Sequence, residues 1–118
     1  MTLKLYGIKN CDTVKKARDW LTLHGVEYEF QDYKALGADA AKLREWCNAL
    51  GWSVILNRSG TTFRALPQSD KDNIDAGKAI ALMVAQPSLI KRPVLEGMGK
   101  LLVGFKPDAF AASFRRND

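Results

Sequence analysis

The sequence is poor in the residues that staple or anchor small proteins. Two cysteines, Cys11 and Cys47, and one histidine, His24, stand in 118 residues. So few cysteines exclude a secreted disulfide scaffold, and one histidine with two widely separated cysteines lacks the ligand spacing of a structural zinc site, so no metal is expected. No run approaches the roughly 20 apolar residues that span a bilayer. Lys4, Lys9, Asp12, Lys15 and Lys16 break any leader-like apolar stretch near the start. The expectation is a cytoplasmic protein with no membrane partner. Four prolines and nine glycines are too scattered for a linker, and there is no internal repeat or low-complexity tract.

What is present is ordinary for a folded chain: 47% hydrophobic and 26% charged residues. The length fits one domain of about 100–150 residues. A formal net charge of +5 favours anionic partners without choosing among them. No helix-turn-helix spacing or basic stripe emerges, so nucleic acid is not an expected partner, and a monomer is expected.

Thr2 to Tyr6 alternates apolar and polar residues up to Gly7, which predicts a strand and then a turn. Asn10 is a good helix cap, Val14, Ala17 and Leu21 repeat at helical spacing, and Gly25 supplies a stop, so a helix is predicted from Cys11 to His24. Val26, Tyr28 and Phe30 then alternate with Glu27, Glu29 and Gln31 as a half-buried strand. A right-handed crossover makes these two strands parallel.

From Asp32 the pattern turns helical. Ala40, Leu43, Cys47 and Leu50 form a stripe ending at Gly51, and Ile74, Ala81, Leu82, Val84 and Ala85 mark a later helix that stops before Pro87. Leu56 to Pro67 reads as loop. Strands return at Pro93 to Glu96 and Lys100 to Phe105 around Gly97, Met98 and Gly99, as a hairpin. Pro107 opens a last helix with Phe110 and Phe114 on its inner face. Trp20, Trp46 and Trp52 read as core or semi-core aromatics. The order β-α-β, helices, β-β-α is an α/β fold with a thioredoxin- or glutaredoxin-like mixed sheet. It predicts a single domain over residues 1–118 with a helical insertion at about 36–90.

Cys11 falls on the turn between the first strand and the first helix, where backbone N–H groups and the positive end of the helix dipole favour a thiolate. Lys9, Lys15 and Lys16 add positive charge and Asp12 opposes it, so a lowered thiol pKa and a nucleophilic sulfur are expected. Three residues on stands Val14, so the second thiol of a CxxC motif is missing. A monothiol needs an external resolving thiol such as glutathione or a distant cysteine. Cys47 is the internal candidate, but its place on an apolar stripe fits a core residue. Asn10 caps the helix or donates to sulfur, and Thr13 offers a hydroxyl. Arg58 in the polar loop and Arg92 before Pro93 are either solvated surface charges or forks for carboxylates and oxyanions. His24, at the end of the first helix, fits a partner of the helix dipole.

The segments Leu5-Tyr6-Gly7-Ile8-Lys9-Asn10-Cys11-Asp12-Thr13-Val14-Lys15-Lys16-Ala17, Leu56-Asn57-Arg58-Ser59-Gly60, Ile90-Lys91-Arg92-Pro93-Val94 and Val103-Gly104-Phe105 resemble the arsenate reductase ArsC-like family, in its YffB branch. The resemblance spans almost the whole chain. It implies a thioredoxin-like domain with a helical insertion, a single catalytic Cys11, a cis peptide before Pro93, and a glutathione-dependent thiol reductase. Lys9, Asn10, Thr13, Arg58, Arg92 and Pro93 then line the substrate or glutathione site, glutathione is the cosubstrate, and glutaredoxin is a further candidate partner.

Authentic arsenate reductases of the family surround the thiol with three arginines. Arg92 matches the one before the proline, Asn57 and Arg58 both fall at the central-loop position, and Gly104 and Phe105 stand where the third would be. The related Spx regulators, which bind the RNA polymerase alpha subunit, have a CxxC switch that Val14 interrupts here. Three readings follow: a glutathione-dependent thiol reductase, an arsenate reductase coupled to glutathione and glutaredoxin, and an Spx-like regulator.

Overall fold

The computed structural model describes residues 3–114. Thr2, where the first strand was expected to begin, lies outside the described residues. Four strands make one sheet in the order β2-β1-β3-β4. β1 (Lys4–Gly7) runs parallel to β2 (Glu29–Asp32) and antiparallel to β3 (Val94–Gly97), which pairs antiparallel with β4 (Lys100–Val103). This is the β-α-β and β-β-α arrangement read from the sequence. Met98 (φ 54) and Gly99 (φ 74) both adopt positive φ, as the tight turn between β3 and β4 requires. β2 begins later than its alternation suggested, because Val26 to Tyr28 approach the sheet without ladder pairing.

The described residues fall into two compact units, one holding those up to Asp32 and from Arg92 onward, the other Tyr33–Lys91. In the first unit, α1 (Asp12–Leu23) buries Val14, Ala17 and Leu21 on one stripe. Its end is closed by Gly25 at φ 69, with N–H bonds from Gly25 to the Thr22 carbonyl and from Val26 to the Leu21 carbonyl. This pair of bonds satisfies carbonyls that the helix leaves open. Leu3, Leu5, Ala17, Leu21, Leu95 and Phe110 form the core, with Trp20, Phe105 and Phe114 packed against it. Phe110 comes from α8 (Pro107–Ser113) and meets the rings of Trp20 and Phe105 edge-on at 5.5 and 4.9 Å. Truncating Leu21 to alanine here costs about 2–5 kcal/mol.

The second unit is helical: α2 (Tyr33–Leu36), α3 (Ala40–Leu50), α4 (Trp52–Ile55), α5 (Thr61–Arg64), α6 (Gln68–Lys71), α7 (Ala76–Ala85) and a 3-10 turn at Pro87–Leu89. Asp39 and Asp75 cap α3 and α7 by accepting from the Ala41 and Lys78 amides at 3.0 and 2.8 Å. Three sequence expectations change here. The stretch from Leu56 to Pro67 is not all loop, because Thr61–Arg64 closes a helical turn after Gly60. On α3 the inner face is Leu43, Trp46 and Cys47, while Leu50 turns outward. On α7 the buried residues are Ala79 and Met83, whereas Ala81, Val84 and Ala85 face out. Trp46 is buried, and Trp20 and Trp52 are half-buried.

Candidate functional site

Gly7 was expected to turn the chain, but it is the last residue of β1 and pairs with Asp32. Lys9 and Asn10 form the exposed turn that follows. The cap of α1 is Cys11, not Asn10: its backbone is extended (φ −114, ψ 123), and its carbonyl accepts from the Lys15 amide at 2.9 Å. Asparagine outranks cysteine as a cap, so local preference placed the start of the helix one residue early.

The consequence is chemical. As a thiol, the Cys11 side chain makes no cap hydrogen bond of ordinary geometry. Partial burial pushes its pKa up, but the Val14 backbone N–H, a hydrogen bond from the Arg92 guanidinium, the Thr13 backbone N–H and the charge of Arg92 outweigh burial. The net position is below the ordinary thiol value. An ionised sulfur in the cap position takes the place of the oxygen that usually accepts the open amides of a first turn.

Arg92, in the lead to β3, brings its guanidinium to the Cys11 sulfur. The Arg92–Pro93 peptide is cis, and the Pro93 carbonyl accepts from the Gly104 amide at 2.8 Å. Pro93 is buried and Arg92 half-buried. Thr13 acts on the sulfur through its amide, while its side chain is exposed. The lysines expected to supply charge are arranged differently. Lys15 pairs with Asp19 at 2.8 Å one turn along α1, and Lys9 and Lys16 are exposed. Among the described residues, Arg92 is the cation whose field acts on Cys11. His24 caps the far end of α1, with its Nδ1 2.8 Å from the Trp20 carbonyl and its ring stacked on Trp20 at 3.9 Å.

Arg58 belongs to the second unit, where its guanidinium lies over the Trp52 ring at 5.4 Å. Beside it Asn57 folds into a local turn: its Oδ1 accepts from the Ser59 amide and hydroxyl at 3.2 and 3.0 Å, and its own amide donates to the Leu89 carbonyl at 2.7 Å. Cys47 is a free thiol, 8% exposed on α3, and burial pushes its pKa up. A surface hollow of about 450 Å³ in the same unit is lined by Thr61, Thr62, Ala65, Leu66, Pro67 and Gln86, none of them titratable. Among the described residues no group of three or more His, Cys, Asp or Glu is placed to hold a metal ion. No helix among them is long and apolar enough to cross a membrane. Of the two thiols, Cys11 is the one whose pKa is lowered. Of the groups that act on Cys11, the sequence pointed to Arg92 and Thr13 but not to the Val14 amide, which acts through the backbone.

Comparison with known proteins bears on the fold and the family. The solved structure of a YffB protein is 60% identical, with a TM-score of 0.94, and the match covers 97% of this chain and all of that one. An arsenate reductase (ArsC) related protein from Brucella melitensis is 54% identical over 98% of this chain and 97% of its own, with a TM-score of 0.77. An uncharacterised protein of Haemophilus influenzae is 40% identical over 95% of this chain and 98% of its own. A global transcriptional regulator, Spx 2 of Oceanobacillus iheyensis, is 26% identical over 92% of this chain and 80% of its own. The mixed four-stranded sheet of this chain matches the thioredoxin-like fold of its solved structural neighbours. With the ArsC family model matching residues 6–113, from the middle of β1 to the end of α8, this chain belongs to the ArsC family.

Proposed function

We propose that this protein is a glutathione-dependent thiol reductase acting through Cys11. The observation that carries the reading is the convergence of the Val14 and Thr13 amides and Arg92 on one sulfur, with valine where a second thiol would stand. In the first step the Cys11 thiolate attacks the glutathione sulfur of a mixed disulfide. A Cys11–glutathione disulfide forms, the substrate's S–S bond breaks, and the substrate thiolate leaves. A second glutathione thiolate then attacks the glutathione sulfur of that adduct, releasing oxidised glutathione and restoring the Cys11 thiolate. The exchange balances because one S–S bond, in the mixed disulfide, is replaced by another, in oxidised glutathione, with the free glutathione thiol as the reductant. Arg92 stabilises the thiolate as attacking and as leaving group, and with Lys9 it supplies positive charge for a glutathione carboxylate. Asn10 and Pro93 frame the approach to the sulfur. This chemistry suits a reducing compartment such as the cytoplasm.

A second reading, arsenate reduction, is favoured by Arg92 beside the thiol and by the ArsC relatives. In it Cys11 attacks arsenate, and glutathione with glutaredoxin completes the reduction. The matching arginine set is incomplete, since Gly104 and Phe105 stand at the third position.

The deciding experiment is a turnover panel with glutathione, glutathione reductase and NADPH, comparing small glutathione mixed disulfides with arsenate and using Cys11→Ser as the blank. Turnover of disulfides and not arsenate is the expected result. Saturable arsenate-dependent turnover with glutaredoxin present, lost in Arg92→Ala, selects the second reading. No turnover on either substrate refutes both and shifts the weight to a regulator that binds the polymerase alpha subunit.

A further inference from the structure

Leu5 and Gly7 alternate onto one face of β1, the face against which α1 packs its buried stripe. Leu5 fills its place in that stripe, and Gly7 leaves its place empty. A Cβ built at Gly7 would lie 2.7 Å from Val14 Cγ2, 3.1 Å from Val14 Cγ1 and 3.5 Å from Val14 Cβ. The first distance is well inside van der Waals contact. Gly7 is not required for a left-handed backbone, because it sits in an ordinary strand pairing. It is required for space.

A rotamer change relieves that clash only in part, because vacating the 2.7 Å position still leaves a Cγ at the 3.1 Å one. Valine fills two of the three staggered positions on Cβ, and both Cγ atoms already face Gly7, so every rotamer leaves at least one of them there. Val14 is also fully buried, so its side chain has no open space to turn into. For the rest, only the start of the helix or the end of the strand can move. Cys11 travels with the helix, because its carbonyl is bonded to the Lys15 amide. Arg92 travels with the sheet, because it leads into β3, which is in register with β1 through Tyr6 and Val94. The contact between Gly7 and Val14 therefore sets the spacing between the two carriers of the site.

We propose that Gly7 is a positioning residue for Cys11: its missing Cβ lets Val14 seat the first turn of α1 against β1, so that the Thr13 and Val14 amides and Arg92 converge on the Cys11 sulfur. The inference deepens the reading of Cys11 as the working thiol and rests on it. A helix lifted as a body loses Arg92, and a helix distorted at its first turn loses the Val14 amide. Either way the thiolate is less favoured. The charged group that acts on the sulfur is Arg92 from the lead to β3, while Lys9 and Asp12, near Cys11 along the chain, are exposed.

The test compares the parent, Gly7→Ala and Gly7→Ala/Val14→Ala, all carrying Cys47→Ala so that one thiol titrates. The double variant removes both Cγ atoms and keeps the amide at position 14. Far-ultraviolet thiolate absorbance and iodoacetamide alkylation are followed against pH, with circular dichroism as the check on folding. Gly7→Ala should titrate at higher pH and alkylate about threefold to tenfold more slowly at neutral pH, and the double variant should return to the parental profile. A Gly7→Ala protein that does not fold, beside a double variant with the parental profile, carries the same meaning. An unchanged profile in folded Gly7→Ala overturns the proposal. So does a double variant that stays shifted, or one that does not fold. None of these measurements needs glutathione, so a parent that titrates as expected but turns over no glutathione disulfide defeats the proposed reaction and leaves the role of Gly7 standing.

Discussion

Cys11 and Cys47 are the same side chain in opposite surroundings, and the difference between them is the difference between the two units of the molecule. Cys11 ends a connecting turn, capping a helix whose free amides and neighbouring arginine favour its anion. Cys47 lies mid-helix among Leu43 and Trp46, where burial disfavours the anion. Depth alone does not separate them, since burial raises the pKa of both. The sign is set by whether hydrogen-bond donors meet the sulfur once it is there.

The largest expected effect follows directly. Cys11→Ser should remove glutathione-dependent turnover by about a thousandfold or more, because a serine hydroxyl is not ionised near neutral pH and cannot form the mixed disulfide. Cys47→Ala should keep turnover within about twofold. Equal losses in a coupled NADPH assay would break the comparison.

Next comes Arg92. Arg92→Ala should raise the Cys11 titration midpoint and slow alkylation at neutral pH by about threefold to tenfold, while Arg92→Lys keeps part of the charge without the planar fork. An unchanged alkylation profile in both variants would leave the amides as the sole source of the lowered pKa.

The smaller effects are on stability. Cys47→Ala should cost about 1 kcal/mol in urea unfolding, as the loss of a small buried apolar atom. The pH dependence of stability should differ in sign between the two thiols. The folded pKa of Cys47 is raised, so the unfolded chain gives up that proton first. Its contribution is fully present below the unfolded thiol value and is lost as pH rises through the folded one. The folded pKa of Cys11 is lowered, so its contribution is present above the unfolded value and is lost as pH falls through the folded one. Unfolding free energies of Cys11→Ser and Cys47→Ala across the neutral to alkaline range should therefore diverge from the parent in opposite directions. Parallel curves would show that the two environments do not differ as described.

The two units also differ in how far their sequence could be read. In the first, alternation in β1, the stripe Val14, Ala17 and Leu21, and the glycine-flanked turn at Met98 all survive in the structure, because each has one apolar face and a clear stop. In the second, α7 is apolar on nearly every side, so periodicity could not choose Ala79 and Met83 over Ala81 and Val84. Thr61–Arg64 is a single turn, too short to have a period at all.

The sequence by itself determined the order of elements, the thiol at the start of the first helix and the absence of a local second thiol, because residue identity and one-dimensional spacing settle those. Tertiary structure decided which groups meet the sulfur. Arg92 reaches Cys11 from the far end of the chain by strand pairing, and Cys11 displaces Asn10 as the cap. Gly7 matters through the atom it lacks opposite Val14. Such meetings depend on the separation of a helix from a sheet, and spacing along the chain does not encode that distance.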